Sequence, residues 1–143
     1  IGKGIKRASS LAIWLSKKPS LIESLHYSSS IRTSQTADII VGELKKNIET
    51  FIEPKLYGAS QETLLNYISF IDDRINSVGI VGHQPGLKEL ALYLANSYAE
   101  GLERVLNENF ATSNAMIIAL NVKRWDQISI RSGILVDYFD SKK

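Results

Sequence analysis

The chain contains no cysteine, which excludes a disulfide framework and thiolate metal ligands. Histidine is almost as scarce, with two residues in 143, and no group of histidines and carboxylates has the spacing of a metal site. Neither charge sign dominates, because 17 basic residues stand against 15 acidic ones, and the net charge of +2 predicts no broad basic surface for nucleic acid. We therefore expect no metal, no cofactor and no nucleic-acid partner.

Long apolar runs are also missing from the sequence. No stretch approaches the roughly 20 residues needed to span a bilayer, and no segment has the pattern of a secretory signal peptide. These features predict a cytoplasmic domain with no membrane partner. The 143 residues, 44% of them hydrophobic, suit one compact core, and no repeat or linker divides them. We therefore predict a single domain over residues 1–143.

Hydrophobic spacing predicts helices that alternate with short apolar strands. The helices are expected from Ile5 to Leu15, from Ile31 to Leu44, from an N-cap at Ser60 to Ile75, and from Leu87 to Tyr98. The strands are expected at 24–29, 49–54, 77–81, 115–120, 127–130 and 134–139, with 77–81 buried on both faces. This alternation predicts an α/β three-layer sandwich, in which a mostly parallel central sheet has helices on both faces.

One histidine lies in the loop GHQPG (82–86), between a predicted strand and a predicted helix. In open α/β sheets, ligands bind beyond the carboxyl ends of the strands, where helix N-termini present free N–H groups. Gly82 and Gly86 would let the backbone bend and approach a ligand. His83 can donate a hydrogen bond to an anion and, when protonated, offer it a positive charge. The alternative is a histidine that caps its own loop through a backbone carbonyl.

A second candidate segment is YSSSIRTSQTA (27–37), which runs from a strand end into a helix. Arg32 would lie in the first helical turn, where its guanidinium fork matches two phosphate oxygens. Ser28 could add a neutral donor. Alternatively, the serines are ordinary helix caps and Arg32 is a surface charge. Since both segments follow strands and precede helices, a shared phosphate site formed by Arg32, His83 and Ser28 accounts for both.

These residues resemble the histidine phosphatase superfamily of phosphoglycerate mutase-like enzymes, and especially its SixA-type phosphohistidine phosphatases. SSSIRTSQTA is similar to that family's Ser-Pro-x-x-Arg-x-x-Gln-Thr-Ala segment, and IVGHQPGL to its Val-Gly-His-Asn-Pro-Gly segment. Segments 2–15, 53–60 and 110–120 add matches in the expected order. The resemblance implies that Arg32 and His83 are the second arginine and the second histidine of the phosphate pocket. Ser29 and Gln84 depart from the usual proline and asparagine.

The resemblance also implies a first strand that ends in Arg-His, whose histidine is the nucleophile. No Arg-His pair occurs in the 143 residues, and the chain begins with Ile1 in what corresponds to the family's first helix. We therefore expect about 25–35 further residues upstream, carrying a strand from the centre of the sheet. The alternative is a pseudoenzyme that has lost this strand. His26 falls inside a predicted strand and is expected to be structural.

The activity implied by the resemblance is hydrolysis of phosphohistidine on a protein, through a phosphohistidine enzyme intermediate and without a metal. The expected partner is a phosphorylated protein or a small phosphorylated substrate. Glu53 and Glu62 are the candidates for a general acid, but an imidazole leaving group, with a pKa of about 6.5, needs little protonation. The alternatives are another phosphomonoesterase or phosphoglycerate mutase-like enzyme, a non-catalytic phosphate- or phosphoprotein-binding module, and a plain α/β domain whose loops mimic the pattern.

Overall fold

The computed structural model of the protein describes residues 2–18, 22–44, 47–107 and 114–142. Four helices lie within these ranges: α1 (Gly2–Ser16), α2 (Ile31–Leu44), α3 (Gln61–Ser69) and α4 (Gly86–Leu94). The strands are β1 (Ser24–Tyr27), β2 (Glu49–Ile52), β3 (Val78–Val81), β4 (Ala95–Tyr98), β5 (Ala115–Leu120) and β6 (Gly133–Phe139). The sequence match at 110–120 lies partly outside the described residues.

The strands form two three-stranded sheets. The first has the order β2-β1-β3 and is entirely parallel, with Tyr27 opposite both Ile52 and Val81. The second has the order β4-β6-β5, in which β4 runs parallel and β5 antiparallel to β6. Because β1, β2 and β3 run in one direction, the loops that follow their carboxyl ends meet at one end of the first sheet.

Helices cover both faces of the first sheet, which confirms the predicted α/β class. One core cluster joins α1 and α2 to β1, and its buried members are Leu11, Ala12, Leu25, Tyr27, Ala37 and Ile40. A second cluster joins α3 and α4, with the buried residues Leu56, Leu64, Ile68, Leu90, Leu94 and Ile128. Each cluster also receives side chains from β3 and β5, so both sheets share the same helical layers.

The strand at 77–81 is less buried than expected. All four residues of β3 are half-buried, as are five of the six residues of β5. Within the described residues, β3 pairs only with β1, and β5 only with β6. Each of these strands therefore has one edge without a neighbouring strand in the described part of the chain. This open edge explains why β3 and β5 are partly exposed although their sequences are almost entirely apolar.

Three predicted elements differ most from the structure. Helix α4 ends at Leu94, and residues 95–98 form β4 instead of continuing the helix. Tyr98 therefore lies on a strand, from which it packs against a third core cluster that contains Leu135. Helix α3 begins after its predicted N-cap, Ser60, but ends at Ser69. Residues 127–130 form no strand. A 3₁₀ turn occupies Trp125–Gln127, and Ile128 after it is buried in the second core cluster.

None of the helices in the described ranges is both long enough and apolar enough to cross a bilayer.

Candidate active site

Ser28 and His83 are joined where β1 and β3 end. The parallel register continues past Tyr27 and Val81, because the Ser28 N–H donates to the Val81 carbonyl at 3.3 Å. The Ser28 hydroxyl oxygen then lies 2.7 Å from Nε2 of His83. Ser28 is fully buried and His83 is half-buried. The structure therefore brings together two of the three site residues predicted from the sequence.

Thr33 holds Ser28 in place, a role that the sequence did not reveal. Its hydroxyl donates to the Ser28 carbonyl at 2.7 Å and lies 2.9 Å from the hydroxyls of both Ser28 and Ser30. The Thr33 hydroxyl also lies 3.1 Å from the Ser30 carbonyl, so two carbonyls compete for its proton. With that proton on a carbonyl, the Ser28 hydroxyl donates to Thr33 and its oxygen accepts from a protonated Nε2 of His83. Nδ1 of His83 has no hydrogen-bond partner among the described residues.

Tyr57 borders His83 from a neighbouring loop. Their ring centroids are 4.9 Å apart and the ring planes meet at 63°, which is an edge-type contact. Tyr57 directly follows a 3₁₀ turn at Pro54–Leu56, which continues from the end of β2. The segment 53–60 belongs to the sequence resemblance, but no periodicity or motif singles out the tyrosine itself.

Arg32 lies in the first turn of α2, next to Thr33 and exposed to solvent. No hydrogen bond or ion pair joins its guanidinium to any described residue. The first-turn N–H groups of Ile31 and Arg32 have no intrahelical acceptor, because a helix leaves its first four donors unpaired. The positive charge of Arg32 is therefore not paired with any described residue, and it lies in the first turn of the helix that follows Ser28.

No protein-family model matches the chain. An uncharacterized protein from Mycobacterium leprae is 28% identical over 141 residues, which are 95% of this chain and 82% of the relative. An uncharacterized protein from Mycobacterium tuberculosis is 24% identical over 139 residues, which are 95% of this chain and 84% of the relative.

Solved structures match the whole architecture. The proposed phosphohistidine phosphatase SixA from Nakamurella multipartitia superimposes with a TM-score of 0.80 at 16% identity, over 98% of this chain and 83% of that one. The chain has the SixA fold. The corresponding protein from Agrobacterium tumefaciens gives 0.74 at 20% identity, over 95% and 79% of the two chains. A SixA complexed with tungstate gives 0.72 at 18% identity, over 94% and 79%. The fold expected from the histidine phosphatase resemblance is confirmed.

The two glycines of the 82–86 loop differ in what surrounds them. A Cβ on Gly86 would lie 2.0 Å from the carbonyl oxygen of Ala59, so the absent side chain allows close approach of another backbone segment. A Cβ on Gly82 would meet ordinary contacts with Leu87 at 3.7 Å. Gly86 therefore brings the histidine loop against the loop that carries Tyr57. The approach of a ligand to Gly82 and Gly86 stays a prediction.

Glu53 and Glu62 both have structural roles in this SixA-like arrangement. Glu53 follows β2, its N–H donates to the Tyr27 carbonyl at 2.8 Å, and its carboxylate accepts from the Lys55 N–H at 3.2 Å. Glu62 is exposed in the first turn of α3, where a carboxylate favours the positive end of the helix dipole. Glu53 shares the end of the sheet with Ser28, and one of its two carboxylate oxygens accepts the Lys55 N–H.

His26 lies on β1, on the same face as Ser28 but two residues earlier, and is held by neighbouring side chains. Its ring nitrogens contact the Ser24 hydroxyl at 2.8 Å and the Tyr67 hydroxyl at 2.6 Å, while Phe51 stacks on the ring at 4.8 Å. Burial lowers the pKa of His26 below 6.5, with a smaller opposing effect from Glu49. These contacts match the structural role expected for His26.

A cleft of about 850 Å³ opens on the same face of the first sheet, between β2 and α3. Phe51, Tyr67 and His26 form part of its wall, and Phe70 stands at its side with 80% of its surface exposed. His83 and Arg32 do not line this cleft. Ser28, His83 and Arg32 are thus separate from this cleft, and we place the candidate site at the strand ends because the polar groups converge there.

Proposed function

We propose that the protein is a SixA-type phosphatase that hydrolyses phosphohistidine on a protein through a phosphohistidine enzyme intermediate. The observation that carries the proposal is the hydrogen bond between Ser28 and His83, at the carboxyl ends of β1 and β3 and beside the start of α2. In a SixA fold, this arrangement supports a phosphate site made of Ser28, His83 and Arg32. The SixA structure complexed with tungstate lends further support, since tungstate is a tetrahedral oxyanion like phosphate.

The binding step relies on groups that the chain already provides. The Arg32 guanidinium takes two phosphoryl oxygens in its fork, and the unpaired N–H groups of the first turn of α2 supply further donors. His83 keeps Nε2 on Ser28, so Nδ1 is the nitrogen available to the phosphoryl group, to which it donates when protonated. These preorganised donors stabilise the charge that spreads over the equatorial oxygens in the transition state.

The nucleophile of the proposal is a histidine outside residues 1–143, at the end of a further strand. His26 is unsuited to that role because both ring nitrogens are occupied, and His83 is committed to Ser28. The open edges of β3 and β5 support a place for such a strand, since the described part of each strand leaves one side unpaired. A strand added in parallel to the open edge of β3 would end at the same end of the sheet as Ser28 and His83.

The two chemical steps need only water as a co-reactant. The nucleophilic imidazole nitrogen forms a bond to phosphorus as the bond from phosphorus to the substrate imidazole breaks. The attacking imidazole gives its N–H proton to solvent, and the leaving nitrogen takes a proton from solvent. Water then attacks the phosphoenzyme, which releases orthophosphate and restores the histidine. Because imidazole is a good leaving group, no dedicated carboxylic acid is required. The proposal therefore assigns no proton transfer to Glu53, which accepts the Lys55 N–H, or to Glu62, which is exposed on α3.

The test uses the full-length protein, expressed from its complete gene, and a peptide that carries phosphohistidine. Orthophosphate release is followed by ³¹P NMR, and a rapid alkaline quench traps any phosphoenzyme. We expect turnover and a phosphoenzyme that is stable in alkali but labile in acid. Binding of orthophosphate without turnover would overturn the catalytic proposal and support a phosphate-binding module. Faster turnover of sugar phosphates than of the peptide would support a phosphomonoesterase instead.

A further inference from the structure

Tyr57 is held in position by its own segment. Its N–H donates to the Pro54 carbonyl at 3.0 Å, which closes the 3₁₀ turn, and Leu56 beside it is completely buried. Gly58 then adopts a φ of +58°, so the chain turns sharply immediately after the tyrosine. The backbone of Tyr57 is thus fixed on both sides by contacts that do not involve its ring.

The ring of Tyr57 is nevertheless largely open to solvent. The residue is 64% exposed although its ring touches His83 at a centroid distance of 4.9 Å. The core gains little from this ring, because most of its surface stays in water and the neighbouring Leu56 is the residue that enters the core. The ring is therefore available to a ligand that approaches His83.

We infer that Tyr57 is a specificity-determining residue that contacts the imidazole ring of a phosphohistidine substrate while Arg32 and His83 hold its phosphoryl group. This inference rests on the proposed function. The phosphoryl group and the imidazole of phosphohistidine are directly bonded, so a phosphoryl group at His83 places the imidazole within reach of a neighbouring aromatic ring. Tyrosine contacts a neutral imidazole by aromatic packing and a protonated one by a cation–π interaction.

The expected effect is selective for ligands that contain a ring. Loss of one aromatic contact should weaken binding of such a ligand by about three- to tenfold. Orthophosphate has no ring, so its dissociation constant should stay almost unchanged. Phenylalanine preserves the aromatic face, whereas leucine fills a similar volume without it, so the pair Tyr57→Phe and Tyr57→Leu separates aromatic contact from simple occupancy.

The experiment measures dissociation constants by isothermal titration calorimetry on the full-length protein. The ligands are orthophosphate and a peptide that carries phosphoryltriazolylalanine, a stable phosphohistidine analogue with an aromatic ring. We expect Tyr57→Leu to weaken binding of the peptide about three- to tenfold and to change orthophosphate binding less than twofold. Tyr57→Phe should match the unaltered protein with both ligands.

Other outcomes separate the two proposals. Equal weakening of both ligands by Tyr57→Leu would overturn the inference, because it would show that Tyr57 acts only by positioning His83. Unchanged binding of both would overturn it as well. In either case the phosphate site itself would stand. Failure of the unaltered protein to bind orthophosphate and the analogue would overturn the proposed function together with the inference.

Discussion

Gly86 packs directly against the backbone of Ala59, so closely that a Cβ at position 86 would lie 2.0 Å from the Ala59 carbonyl oxygen. Gly86 is three residues beyond His83, and Ala59 is two residues beyond Tyr57. This contact locks together the two loops that bring the histidine and the tyrosine side by side. The relative position of the two rings therefore depends on backbone packing outside the site.

Replacement of Gly86 by alanine should destabilise the fold and disturb the site. The new methyl group cannot fit, so the backbone of α4 or of residues 57–60 must move, with a cost of about 1–3 kcal/mol. Urea unfolding followed by circular dichroism gives the free energy of unfolding. Gly42→Ala is the matched control: Gly42 lies in α2 with nothing within 4 Å of an added Cβ, and alanine there should stabilise slightly. Equal stability of the two variants would contradict the packing argument.

Removal of the Ser28 hydroxyl should release His83. Ser28→Ala leaves Nε2 of His83 without its acceptor, so we expect kcat/KM for a phosphohistidine peptide to fall about tenfold to a hundredfold. The ¹⁵N shifts of the imidazole provide an independent readout, because the neutral ring of the unaltered protein should carry its proton on Nε2.

The control for Ser28 is Ser10→Ala, since the Ser10 hydroxyl donates only to the Lys6 carbonyl within the exposed part of α1. It should leave both the imidazole spectrum and the activity unchanged. A neutral His83 that carries its proton on Nδ1 in the unaltered protein would refute the hydrogen-bond assignment through Thr33.

The contact between Ser28 and His83 could be predicted from the sequence because both residues follow apolar strands. Ser28 directly follows β1 and His83 lies two residues beyond β3, so local pattern and sheet topology were sufficient. The place of Arg32 in the site stays a prediction. Thr33 and Tyr57 were missed because their roles come from tertiary contacts. A threonine in a first helical turn and a tyrosine after a turn give no local signal of the partner that they contact.

Errors in the secondary structure have the same origin. Leu94 and Tyr98 have helical spacing, yet the chain leaves α4 between them because residues 95–98 pair with β6. The partial exposure of β3 could not be predicted either, because an apolar sequence does not show whether the strand is paired on one edge or on both. Pairing between strands that are distant in sequence decided both cases.

Acidification should destabilise the protein through His26. Burial lowers the pKa of His26 in the folded state below the value of 6.5 in the unfolded chain. Between these two values the unfolded state binds the extra proton, so the free energy of unfolding falls as the pH drops below 6.5 and levels off below the folded pKa. Urea unfolding between pH 7.5 and pH 5 measures this slope. His26→Gln cannot titrate and should show a shallower dependence; an identical slope in the two proteins would exclude His26 as its source.

Chelation should not reduce the activity. The proposed chemistry neutralises the phosphoryl charge with Arg32, His83 and backbone N–H groups, and it assigns no step to a metal ion. Turnover of the phosphohistidine peptide should therefore be the same after dialysis against EDTA as before. Strong inhibition that added Mg²⁺ or Zn²⁺ reverses would contradict this mechanism.

Arg32 should contribute far more to activity than to stability. Its guanidinium is exposed and has no partner among the described residues, so Arg32→Ala should change the free energy of unfolding by less than about 0.5 kcal/mol. The same variant should lose about 10³-fold in kcat/KM, because it removes the two-pronged contact to the phosphoryl oxygens. Arg32→Lys should recover only part of this loss, since an ammonium group keeps the charge without the fork. Arg124→Ala is the control: Arg124 pairs with Asp126 at the surface at 3.0 Å and should retain full activity. A stable Arg32→Ala protein with normal turnover would remove Arg32 from the site.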